Sequence, residues 1–224
     1  MSAFDYFERI SEPFNTLIAA IKNGQPSDVG EALTHIAQKS EEDPNVFFAR
    51  SYSEAMTVAI KKGNPDIFEQ VCVFGASRLT TFEFIESRSV VQHLKKYDDA
   101  QIRQIFLGFL NNCDKGVQAA LIFAAYLQEY TVLIDQICND APYENLRCTL
   151  ARCAIEFNDV DLVWNIVQTT PQAIPNLSEC DPNTDKGRAW IEIDERYTVW
   201  KSQQERDILT AEVAGERGSV LRKM

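Results

Sequence analysis

The sequence predicts an all-α protein of stacked helical hairpins, closed by a C-terminal capping helix, and three observations carry that prediction. The phrase Ala20-Ile21-Lys22-Asn23-Gly24-Gln25-Pro26 returns thirty-nine residues later as Ala59-Ile60-Lys61-Lys62-Gly63-Asn64-Pro65. Each copy is followed by an apolar-periodic run that opens on an acid, Asp28-Val29 in one and Asp66-Ile67 in the other. Fainter versions follow, and aligning Ala20, Ala59, His93, Ala125 and Ala154 gives spacings of 39, 34, 32 and 29 residues. A small-residue helix, a Gly stop, a Pro restart and a second helix make one hairpin, and hairpins recurring at such a period make an array.

Residues 1–16 open the chain. Phe4, Phe7, Ile10 and Phe14 form a helical stripe for a leading cap, and Pro13 is expected to break or restart it. The array proper is expected over 17–170. Unit one runs from Leu17 to about Lys39, with Gly24 ending its first helix and Ser27 capping its second, whose buried row is Val29, Leu33 and Ile36. Unit two runs from Tyr52 to Phe74, with Asn64 as cap and Pro65 at the first helical position, where a missing N–H is harmless. Unit three lies between Phe82 and Leu110, unit four around Ala124-Ala125 and Val132–Ile137, and unit five around Cys153–Asn158 and Val160–Val167. The breaker-rich stretch 171–186, with Pro171, Pro175 and Pro182, reads as a loop. In 187–224, Trp190, Ile193, Tyr197 and Trp200 form a stripe at three-and-four spacing, Gly215 and Gly218 are expected to end the helix, and a slightly basic tail follows.

Ala19-Ala20 to Gly24, Val58-Ala59 to Gly63, Ala124-Ala125 and Asp161-Leu162-Val163 together resemble the ankyrin family, over about residues 17–168. The mean period of 33.5 residues agrees with that resemblance. The family's Thr-Pro-Leu-His helix start is absent, which leaves open a degenerate ankyrin-like array, a generic α-solenoid with plain loops and a non-repeat helical bundle. The resemblance implies a protein-binding surface. It extends to effectors that intracellular bacteria deliver into host cells, which adds a host cytosol to the expected compartments.

Composition excludes several function classes. The net charge is −11, concentrated in residues 1–50 and 151–200, and no basic face suits a nucleic-acid backbone. No apolar stretch is long enough for a membrane span. Met1 to Ile10 lacks the order of a secretory signal, and six cysteines without a Cys-x-x-Cys pair read as free thiols, so the expected location is cytoplasmic. His35 and His93 have no ligand-like neighbours, and neither a nucleophile elbow nor a phosphate-cradling Gly loop is present. No catalytic, metal or cofactor-binding residue is therefore assigned.

The predicted function is protein–protein interaction, as a scaffold, adaptor or inhibitor gripping a partner along first helices and inter-unit loops. The candidate contact residues are Phe47, Phe48, Arg50 and Tyr52 near the first inter-unit loop, and Trp190, Tyr197 and Trp200 near the C-terminus. Aromatic and Arg side chains dominate binding hot spots. The alternative is an enzyme whose acids converge from separate units for metal-assisted hydrolysis. The chain is expected to be a monomer, or a homodimer paired through the Trp190–Trp200 stripe.

Overall fold

The helical periodicity of the sequence is realised throughout, and the described residues of this computed structural model contain no strand. The structure describes residues 3–42, 49–76, 78–79, 86–175 and 180–221, with side chains over 12–42, 51–76, 78–79, 86–175 and 180–208. The helices are α1 (Ala3–Asn23), α2 (Pro26–Glu42), α3 (Ala49–Lys62), α4 (Pro65–Ala76), α5 (Ser87–Tyr97), α6 (Ala100–Asn112), α7 (Lys115–Leu127), α8 (Thr131–Asn139), α9 (Glu144–Glu156), α10 (Val160–Thr169) and α11 (Asp185–Leu221). The chain divides into two compact units, Met1–Cys153 and Ala154–Met224.

Within the first unit the helices sort into two rows. First helices pack on first helices, α1 on α3, α3 on α5 and α5 on α7. Second helices do the same, α2 on α4 and α4 on α6, while α1–α2 and α3–α4 pack within their hairpins. Each amphipathic pair leaves apolar surface uncovered until a neighbour stacks on it, which is why the arrangement repeats. The predicted row of α2 is buried at Val29, Leu33 and Ile36, and the core continues through Leu17 and Ile21, Ala55 and Ala59, Ile67 and Val71, and Phe106 and Leu110.

The repeat is written in the backbone more regularly than in the side chains. Among the described residues, five have positive φ: Gly24, Gly63, Asp98, Glu129 and Asn158. Each ends a first helix two residues before the second begins. Counting back four residues gives Ala20, Ala59, Leu94, Ala125 and Ala154, all buried. The sequence alignment therefore holds at four positions and slips by one at the third, where Leu94 replaces His93. Its carbonyl accepts from Asp98 N at 2.8 Å, as Ala20 O does from Gly24 N at 3.1 Å. The residue after the left-handed one takes the cap position. Asn64 Oδ1 accepts from Asp66 N at 3.1 Å, Asp99 Oδ1 from Ile102 N at 2.9 Å, and Asp159 Oδ1 from Leu162 N at 3.2 Å.

This turn makes a clean test. A Cβ built on Gly63 would meet nothing within 4 Å, so only the backbone opposes a side chain there. Gly63→Ala is expected to destabilise the protein by about 1 kcal/mol, and Glu129→Gly to stabilise it by up to about 1 kcal/mol. Urea midpoints of the two variants, shifting in opposite directions, check both.

Three local expectations are corrected. Pro13 does not break the first helix, since α1 runs through it from Ala3 to Asn23 and Pro13 is buried. Ser27 is not the cap of α2, because that helix begins at Pro26 and Ser27 lies inside it. Gly215 and Gly218 do not end the last helix, which continues to Leu221.

Polar ties join successive hairpins. Lys62 Nζ donates to Lys22 O at 3.0 Å, placing a cation at the negative end of α1. Between the third and fourth hairpins, Tyr130 OH donates to Asp98 Oδ1 at 2.7 Å. Arg103 pairs with the same carboxylate and donates through Nε to Gln136 Oε1 at 2.5 Å.

Burial also sets a pH limit. It pushes the Cys72 thiol and the Tyr52 phenol well above their ordinary ranges, Cys113 and Tyr130 up to about 12, and Cys138 up to about 11. These groups are neutral when protonated, and the unfolded chain loses their protons first. Their contribution is fully present below the unfolded values of 9.0 for thiols and 10.0 for phenols, and is lost as pH rises through the folded ones. The urea midpoint is expected to fall steadily above about pH 9, and Cys113→Ala to lessen that fall.

Candidate partner-binding surface

Of the seven residues expected to contact a partner, four fall in the first unit and three in the second. Phe47 and Phe48 lie outside the described residues, and Arg50 lies in α3 with its side chain outside them. Tyr52 and Trp190 serve the core instead of a surface, being 0% and 2% exposed. Tyr52 OH donates to Val71 O at 2.5 Å, and its ring lies so close over Gly75 that a Cβ there would collide with it. Tyr197 and Trp200 are half-buried in the second unit. Their rings lie 5.8 Å apart, Trp200 meets Trp164 edge-on at 6.3 Å, and the Arg196 guanidinium sits 4.2 Å over the Trp164 ring. That cluster is internally satisfied, which suits a packing role.

An open apolar recess of the first unit lies elsewhere. Between α4 and α6 runs a groove of about 540 Å³. From α4 it takes Glu69, Cys72, Val73 and Ala76, spaced three, four and seven residues apart on one helical face. From α6 it takes Gln104, Ile105, Gly108, Phe109 and Asn112. Cys72 and Phe109 form a buried floor, while Val73 stands 68% exposed. Gly108, in the middle of α6, has nothing within 4 Å of a built Cβ, so no neighbour among the described residues requires a glycine there. The sequence reading placed the grip on the first helices, whereas this groove lies on the second. Its residues come from two helices some thirty-five positions apart. The one local signal was a glycine inside an apolar helix.

Charge separates the two rows. The second helices α2, α4, α6 and α8 carry seven carboxylates against two cations, a net of −5. The first helices α1, α3, α5 and α7 carry nine cations against four carboxylates, a net of +5. The groove follows its own row: among the described residues that line it, Glu69 alone is charged.

A second cleft, of about 550 Å³, lies in the second unit between the end of α9, the start of α10 and the first turns of α11. Four of its charged residues pair, Lys186 with Glu156 and Arg188 with Asp185, and Glu192 also lines it. Among the described residues, no three His, Cys, Asp or Glu side chains stand grouped to hold a metal ion, and no helix is long and apolar enough to cross a membrane. None of the six cysteines is in a disulfide. No protein-family model, no curated protein and no solved structure matches this chain.

Proposed function

We propose that this chain is a protein-interaction module whose helical-hairpin array holds a protein partner on its row of second helices. The observation that carries the reading is the α4–α6 groove, an apolar recess with a buried floor and Val73 68% exposed on its wall. Exposed large apolar side chains lining a recess, as opposed to scattered singly, mark interaction sites. A module of this kind acts as scaffold, adaptor or inhibitor, and six cysteines outside any disulfide suit a reducing cytosol.

Of the two array types open from the sequence, the generic α-solenoid is favoured. Only Cys113 and Asp114 separate α6 from α7, which leaves no room for an ankyrin-type hairpin between those units. Asp114 spends that short link capping α7, accepting from Gly116 N at 2.8 Å.

Affinity capture from a lysate of the source organism, with the full chain as bait, tests the reading. Val73→Gln keeps helix propensity and disturbs no packing, because the residue is exposed. It is expected to reduce recovery of the captured partner at least about tenfold, a change of roughly 1.4 kcal/mol in binding. An identical set of proteins captured by both baits would sink the proposal.

A further inference from the structure

We propose that the α4–α6 groove seats a basic amphipathic helix of the partner, with a small residue of that helix crossing over Gly108. The inference rests on the interaction-module reading above and names the chemistry of what is bound.

A helix is the shape the groove fits. Among the described residues no strand edge offers backbone groups for an added strand, so recognition falls to side-chain packing. The lining positions run from Glu69 to Ala76 on one wall and from Gln104 to Asn112 on the other, roughly 10–12 Å, or two turns of helix. Two neighbouring helices with an open seam take a third by ridges into grooves, at interaxial distances of about 8–10 Å.

Basic charge follows from the rim and from the row. Glu69 is exposed at the groove with no cation among the lining residues, and the second-helix row carries −5. Arg103, on α6, is already counted in that −5 and is engaged by Asp98 and Gln136. The first-helix row, at +5, repels the same ligand, so charge alone selects the face. Gly108 supplies the close approach. A glycine inside a helix weakens it relative to alanine, and among the described residues nothing lies within 4 Å of the missing Cβ to account for it. A flat floor at that point lets a facing backbone come near.

The test pans a phage-displayed library of helical peptides, randomised on one face, against the full chain. Expected is enrichment of apolar residues at i, i+4 and i+7 flanked by Lys or Arg, with Gly, Ala or Ser between them. An enriched peptide, resynthesised, should lose at least about fivefold in affinity to Glu69→Lys and at least about tenfold to Gly108→Leu. Gly108→Leu points its side chain into open space, so its melting temperature should equal or exceed that of the parent. Enrichment of acidic or neutral peptides, no enrichment at all, or binding indifferent to Gly108→Leu overturns the inference. So does light scattering that shows self-association abolished by Gly108→Leu, which makes a second copy the occupant. Capture of a lysate partner that depends on Val73 while the peptides fail removes this inference and leaves the interaction reading standing. Loss of that dependence removes the interaction reading itself.

Discussion

Gly75→Ala is expected to destabilise the first unit by about 3 kcal/mol, far more than a single methyl group normally does at a helix position. Alanine is the better helix former, so propensity alone predicts a gain. The reversal comes from Tyr52 on α3, whose ring and hydroxyl occupy the space a Cβ on Gly75 would fill. That ring cannot swing aside, because it is fully buried and its hydroxyl is tied to Val71 O at 2.5 Å. Either the ring leaves the core or α4 moves away from α3. The same α4 carries Val73 and Ala76 on the groove wall, so the variant should also weaken partner binding. Urea unfolding followed by far-UV circular dichroism measures the stability change. Tyr52→Leu, which removes the outer ring and the hydroxyl, should make Gly75→Ala nearly harmless. A coupling of about 2 kcal/mol in the double-mutant cycle is the expected signature, and strict additivity would show that the two residues do not oppose each other.

That pair also shows why the fold was legible in the sequence and the surface was not. Hairpins announce themselves locally. Gly24 and Gly63 sit at left-handed helix ends where glycine costs least, and Asn64-Pro65 spells a cap and a first turn within two residues. In the later units Asp98, Glu129 and Asn158 take the same backbone conformation without glycine, so the signal fades although the geometry persists. The slip from Leu94 to His93 arose there. Tyr52 stands among the candidate contact residues because nothing in its neighbourhood reveals Gly75, twenty-three residues away, or the carbonyl that receives its hydroxyl. The groove is less legible still. It exists only because α4 and α6 stack, and their contact surface depends on long-range packing that periodicity does not encode. What the sequence did hold was the charge of each helix, which acquires meaning once the helices are sorted into rows.

Trp190→Ala is expected to loosen α11 at a loss of about 3–5 kcal/mol, the range for deleting a large buried aromatic. Its hold on the second unit is concentrated at one end. Gly187, Ala189, Trp190 and Ile193 are buried, and from there to position 208 no side chain of α11 is. Before them, the loop closes tightly on the helix start: Thr184 Oγ1 accepts from Gly187 N at 3.0 Å and donates to Asp181 O at 2.8 Å. Beyond them, the half-buried Tyr197 and Trp200 and the Arg196–Trp164 stacking add a second, weaker contact with α10. Removing Trp190 takes away the largest buried side chain of this segment, and a contact worth roughly 1–2 kcal/mol cannot offset that. The chain provides its own probe, because all three tryptophans, Trp164, Trp190 and Trp200, belong to the second unit. Tryptophan emission therefore follows that unit alone, while far-UV circular dichroism is dominated by the longer first unit. In Trp190→Ala, the emission of Trp164 and Trp200 should reach its midpoint at distinctly lower urea, with the main dichroism transition close to that of the parent. Compact units within one chain commonly unfold separately unless a large apolar interface joins them. Coincident transitions that shift together would show one cooperative block, and the loss at Trp190 would then be shared by the whole chain.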